Sequence, residues 1–349
     1  MDGSRQSTAI PRGRRQHSLN LKRSTCMENP QKFKAVKGIP FIHEIYDVEA
    51  IERMWNEFEF RDQDVIIVTY PKSGTHWMID ILSLIDSKGD PSWVKSVPYW
   101  KRSPWIEFKN QSEIIKNQSD PRILTSHLPI LLFPKSYFTS KSKMIYVARN
   151  PKDVITSLYH FNNQLPFYSK PSTFEQLFVD FLQGHLNYGS WFDHIKGWLS
   201  WRDSEKFLLV TYEELHQVLN SALGIQRKIE DTPCPKRARR LNVYTTYLCM
   251  DVHASVKKIC QFLDKKLSEE EISSVAQNAS FQVMKKRIIG EKEGRPLENI
   301  EILNTIIMRK GICGDWKNHF TVTQMETFNK VYQEKMNGLD QDLFPWYQC

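Results

Sequence analysis

The stretch V-I-I-V-T-Y-P-K-S-G-T-H-W, residues 65–77, decides how this chain folds. Its first six residues form a short continuous apolar run rich in β-branched side chains, the pattern of a strand buried on both faces. Trp77, Met78, Ile81, Leu82 and Ile85 then recur at helical spacing. Between strand and helix, P-K-S-G-T makes a tight turn in which Gly74 permits a close backbone path. Amides at the start of a helix have no partner inside it, and together with the helix dipole they make an anion site. Lys72 adds a full positive charge there, and Ser73 and Thr75 add hydroxyl donors. The lysine precedes the glycine and no GxxxxG run is present, so this is not a Walker A arrangement. Read by itself, the loop leaves open a plain turn carrying a solvated lysine.

Working outward, R-I-L-T-S-H (122–127), K-M-I-Y-V-A-R (143–149) and F-L-L-V-T-Y (207–212) read as further strands. After the second of these, Asn150 caps a helix that opens with Pro151 and carries Asp153 in its first turn. Strands alternating with helices predict an α/β fold, a single domain with a central parallel sheet flanked by helices and a P-loop-like nucleotide site. Ligands of such sheets lie at the carboxyl ends of the strands. Residues 1–37 read as a basic, disordered extension, and the folded domain is expected over 38–349.

Apolar residues make up 40% of the sequence and aromatics 12%, which excludes a largely disordered protein. No run of 18 apolar residues suggests a membrane span, and no apolar core of a secretory signal follows the first basic residues. Cysteines 26, 234, 249, 260, 313 and 349 form no CxxC pair and no metal-ligand spacing with histidine. A cytoplasmic protein without a metal is the expectation. The net charge of +8 raises the question of nucleic acid. Residues 1–24 carry +5 of it and residues 218–250 carry +4, which leaves −1 for everything else. No nucleic-acid footprint remains in the bulk of the chain.

Y-P-K-S-G-T-H-W (70–77) resembles the 5′-phosphosulfate loop of the cytosolic sulfotransferases. R-N-P-K-D-V-I-T-S (149–157) resembles their 3′-phosphate segment, and R-K-G-I-C-G-D-W-K-N-H-F-T (309–321) their C-terminal nucleotide motif. S-W-F-D-H (190–194), L-F-P-W (343–346) and the dimer-contact pattern KxxxTVxxxE at 317–326 fit as well. The resemblance spans roughly 38–217 and 251–346, in order, and is nearest to the hydroxysteroid and bile-salt subgroup.

The resemblance implies transfer of a sulfonate from PAPS (3′-phosphoadenosine 5′-phosphosulfate) to a hydroxyl of a small apolar acceptor, by in-line displacement and without a metal. His127 then matches the general base, and Lys72 the residue that stabilises the leaving phosphate. Lys72, Ser73, Gly74, Thr75, His76 and Trp77 match the donor loop; Arg149, Ser157, Arg309, Lys310 and Gly311 match the 3′-phosphate site. Tyr212 and the run Ala279, Ser280, Phe281, Gln282, Val283 and Met284 match the surroundings of the adenine. Trp100, Trp105, Phe161, Tyr188 and Trp191 are candidates for the acceptor wall, and a homodimer through Lys317–Glu326 is implied. Outside the resemblance, any one of these aromatics reads as ordinary core, and His127 as a structural histidine at a strand end.

The sequence departs from the family pattern in several places. His76 stands where the family has Asn or Thr, and Ala279 replaces a hydroxyl residue beside Phe281. Residues 218–250 are an insertion, and 285–308 differ from the subgroup. An insertion that loops out costs little, because closure entropy grows slowly with length. One that displaced Tyr212 would disable donor binding. The competing expectation is a non-catalytic PAP-binding or scaffold protein, the family fold disabled by its insertion. A nucleotide kinase is disfavoured by the missing Walker A and magnesium-binding acid.

Overall fold

The computed structural model describes residues 33–43, 45–164, 173–216, 252–290, 307–339 and 346. Four parallel strands, β3 (Val65–Thr69), β4 (Ile123–Ser126), β5 (Lys143–Ala148) and β6 (Phe207–Thr211), form the central sheet in the order β4-β3-β5-β6. The chain leaves β3 for one neighbour and returns to the other. The carboxyl ends of β3 and β5 therefore border the point where strand order reverses, the usual place for a ligand in such sheets.

Alternation along each strand splits the core in two. Ile66, Val68, Met144 and Tyr146 face one side, where they meet helices Pro151–Asn162, Phe174–Gln183, Trp191–Leu199 and Val322–Lys335. Ile67, Ile145 and Val147 face the other, against helices Thr75–Asp86, Val252–Phe262 and Glu269–Asn278. Both faces are covered, which is why the strands read as unbroken apolar runs. The helix behind the loop is the most enclosed of these, with ten buried residues among its twelve.

The described chain opens ahead of the expected boundary at Gly38. β1 (Phe33–Val36) pairs antiparallel with β2 (Ile39–Ile42) through a turn at Lys37 and Gly38, both at positive φ. Phe41 packs edge-on against Tyr46 and Tyr188, so the hairpin belongs to the core. Residues 1–32 of the expected extension and all of 218–250 lie outside the described residues. The elements that bracket the second segment, Tyr212–His216 and Val252–Phe262, meet on one face of the sheet through Leu215, Val252 and Val256.

Candidate active site

The loop after β3 is held in an unusual conformation. Lys72 has φ 70°, a left-handed value that a non-glycine residue adopts at a cost of about 1–3 kcal/mol. Gly74, at φ 107°, is the N-cap of the following helix, and no side chain caps it. The first amides of that helix are thereby left for a ligand. A Cβ at Gly74 would lie 2.8 Å from Cδ2 of Tyr212, so glycine lets the ring close on the loop. Buried beneath the loop, the hydroxyl of Ser73 and the Nε of Arg149 have no hydrogen-bond partner among the described residues.

Two motifs far apart in sequence complete this end. Asn150 caps the helix Pro151–Asn162 through a bond from the Lys152 amide, as its sequence implies. Asp153 looks away from its own helix and accepts from the Gly314 and Trp316 amides at 2.7 and 3.0 Å. Lys152 adds its ammonium over the Trp316 ring. This brings 309–316 against the end of β5. Arg149 donates to the carbonyls of Lys72 (2.9 Å) and Ile312 (3.3 Å), and its guanidinium lies 4.1 Å from the Tyr212 ring centroid. Arg309 and Lys310 converge on Asp315 at 2.6 and 2.7 Å. At Gly311 (φ 64°) an added Cβ would collide with the Phe281 ring.

Lys72, Arg149, Arg309 and Lys310 thus surround one cavity wall, with Asp315 the acid paired to the last two. Burial pushes the Lys72 ammonium down to about 7, and the charges of Arg149 and Arg309 push the same way. Trp77, Tyr212, Phe281, Thr75, His76, Ser157 and Met284 line the same cavity. Four basic side chains facing one paired carboxylate fit a polyanionic donor: Lys72, Arg149, Arg309, Lys310, Ser157 and the loop amides would hold its phosphates. Ser73 is packed under the loop; Ala279, Ser280, Gln282 and Val283 lie behind the wall.

His127 follows β4 at the middle of the same cavity, which has a volume of about 890 Å³. Its Nδ1 is 2.9 Å from the Thr69 carbonyl and 3.0 Å from the Thr69 hydroxyl. A carbonyl can only accept, so Nδ1 carries the proton and Nε2 carries the lone pair. The His127 amide donates to Glu107 Oε1 at 2.7 Å, and Tyr188 donates to the same oxygen at 3.1 Å. Tyr188 also meets the Tyr46 hydroxyl at 3.0 Å. Burial lowers the His127 imidazole to about 4, the Thr69 carbonyl opposing and Lys72 adding to it, and raises the Glu107 carboxyl to about 7. Glu107, Tyr46 and Thr69 hold the histidine in place, and the sequence reading did not single them out.

Beyond His127 the wall turns aromatic. Trp100, Trp105, Phe108, Phe161 and Tyr188 line it, and Lys72 Nζ stands 4.0 Å over the Phe161 ring. Trp191 is not among the residues that line the cavity. It opens the helix Trp191–Leu199 with its ring against Phe192, Tyr332 and Trp346, in the core.

The fold and this site define an α/β protein in which one cavity joins a cation-rich wall, a buried histidine and an aromatic wall. Comparison with known proteins makes the class specific. A family model described as a sulfotransferase domain matches residues 62–225 and 243–340. A 3-beta-hydroxysteroid sulfotransferase of Cavia porcellus is 45% identical over 313 residues, covering 90% of this chain and 97% of that protein. Human sulfotransferase 2A1 is 43% identical over 310 residues, 89% of this chain and 97% of its own length. Among solved structures, mouse sulfotransferase SULT7A1 complexed with PAP aligns with a TM-score of 0.66 at 24% identity, covering 90% of this chain and 99% of its own. Retinol dehydratase in complex with androsterone and inactive cofactor PAP aligns at 0.65 and 19%, covering 88% and 89%. The chain belongs to the sulfotransferase family and is a sulfotransferase.

Proposed function

We propose that this enzyme transfers the sulfonate of PAPS to a hydroxyl of a small apolar acceptor, a hydroxysteroid or bile acid. The observation that carries the reading is the lone pair of His127 Nε2, at the junction between the cation-rich wall and the aromatic wall of one cavity. His127 takes the acceptor's hydroxyl proton on Nε2 as the oxygen bonds to sulfur. The bond from sulfur to the bridging oxygen breaks, and Lys72 balances the charge that collects on that oxygen. Arg149, Ser157, Arg309 and Lys310 orient the 3′-phosphate, and Trp77, Tyr212 and Phe281 flank the adenine. PAP, seen bound to the structural neighbours, is the by-product of such a reaction, and the sequence relatives are named for hydroxysteroids. Dimerisation through Lys317–Glu326 is part of the proposal, supported by the exposed Lys317, Val322 and Glu326 on that stretch.

The competing reading is a PAP-binding or scaffold protein disabled by residues 218–250, and a displaced Tyr212 would be one way for the insertion to damage the donor site. Tyr212 stands on the cavity wall under the Arg149 guanidinium, which favours the active enzyme. Transfer of labelled sulfonate from PAPS to hydroxysteroids, bile acids and phenols, with EDTA present, tests the proposal. Transfer to the first two classes is expected; PAP binding without transfer to any acceptor would establish the disabled reading instead.

A further inference from the structure

The atom assigned as the base is already engaged. The Trp105 indole N–H donates to His127 Nε2 at 3.2 Å. Trp105 is placed there by backbone: the segment 104–106 runs beside β4, with Ile106 N donating to the Thr125 carbonyl and Thr125 N to the Pro104 carbonyl, each at 3.0 Å. The Ser103 and Thr125 hydroxyls meet at 2.7 Å across the same junction, and the indole stacks on Phe108. Two residues on, Glu107 accepts the His127 amide. One short segment therefore fixes both sides of the histidine, the main chain through Glu107 and the ring nitrogen through Trp105.

A neutral imidazole has one in-plane lone pair at Nε2, enough for one good hydrogen bond. We infer that Trp105 is a positioning residue for the proposed reaction: its indole N–H occupies the base nitrogen of the resting enzyme, and the acceptor's hydroxyl takes its place. This rests on the reading of His127 as base. It assigns Trp105 a role in the proton cycle beyond that of an acceptor-wall residue. With the acceptor absent, the indole fills the single acceptor position of a buried ring that would otherwise lack a partner. When the hydroxyl arrives, the N–H is released. Once Nε2 is protonated it can no longer accept from Trp105, so the contact returns only after the proton has left.

The bond favours the neutral ring and opposes its protonation. The other groups acting on His127 are Lys72 across the cavity, His76 on the loop helix, Glu107 at its amide, Tyr188 beside its ring and His194 at its carbonyl. A Trp105→Phe variant retains each of these groups and keeps an aromatic ring against His76 and Phe108. Losing one neutral hydrogen bond should raise the His127 pKa of the free enzyme by about half to one unit. The acidic limb of kcat/KM, which reports the free enzyme, then moves up by that amount. The limb of kcat, which reports the acceptor complex where the bond is already exchanged, stays put. A benzothienyl side chain at 105, isosteric with indole but lacking the N–H, gives the same result if phenylalanine does not fold. A readout independent of turnover is the Trp105 indole resonance in nitrogen-15-labelled enzyme with PAP, expected to shift upfield when androsterone is added. Unchanged kcat/KM limbs in both variants, or an indole resonance indifferent to androsterone, would overturn the inference while leaving His127 as base. If His127→Ala turned over normally, the base assignment would fall instead, and the indole resonance would still report whether the contact exists and is exchanged.

Discussion

At one end of the cavity, Lys72, Arg149, Arg309 and Lys310 converge from segments far apart in sequence, and backbone amides and carbonyls fix them in place. At the other, Trp100, Phe108, Phe161 and Tyr188 offer ring faces. The first end offers charge at defined points, as recognition of phosphate demands. The second offers shape and apolar area, which many combinations of rings supply. Under the proposed reaction, with His127 as base, the difference would separate what fixes the reaction from what selects the acceptor.

Several experiments can break or sharpen that contrast. His127→Ala should lower kcat by about 10²- to 10⁴-fold with PAP affinity nearly unchanged. Lys72→Ala should lose comparable activity by removing charge stabilisation. Equal loss of PAP affinity in both variants would place the histidine at the donor end. Trp191→Ala should cost about 3–5 kcal/mol of stability in chemical denaturation, with acceptor preference unchanged among the molecules that remain folded. A shifted acceptor preference would return Trp191 to the cavity. Gly311→Ala, which forces the Phe281 ring aside at a positive-φ position, should weaken PAP about tenfold by calorimetry and leave the acceptor KM alone.

The smallest effect is a proton count. Lys72 is held near 7 in the free protein, so between that value and its usual 10.5 it is largely neutral. Phosphate bound beside it favours the ammonium and raises its pKa. PAP binding at pH 8 should therefore take up a fraction of a proton. Titrations in two buffers of different ionisation enthalpy would show it; proton release would reverse the electrostatic account of the donor end.

The cation-rich end was more legible in the sequence than the aromatic end. Lys72 and Gly74 after β3 and Asn150 as a cap follow from local chemistry at strand ends and helix starts, whereas Arg149 after β5 was singled out through the family resemblance. The four sheet strands were readable because burial on both faces leaves an apolar run. The hairpin Phe33–Ile42 was not, since its strands are four residues each and its place depends on Tyr46 and Tyr188 far along the chain. Glu107 was missed for the same reason: nothing nearby in sequence announces that its carboxylate will meet the His127 amide. Trp191 misled because an aromatic serves core and cavity alike, and only tertiary packing separates the two.

Asp153 also ties the site to the order in which the chain is made. The bonds that hold Gly314 and Trp316 to the start of its helix reach across more than 160 positions. A ribosome that has released the chain through β6 has delivered the loop, the histidine and every strand of the sheet, but none of the wall at Arg309 and Lys310. If that wall holds the donor as proposed, the donor site is completed late in synthesis. From then on the donor would stabilise the finished chain by mass action, and a product truncated before Arg309 would draw less on it. The nucleotide would then act as a test of completeness, adding stability to chains whose two distant motifs have met.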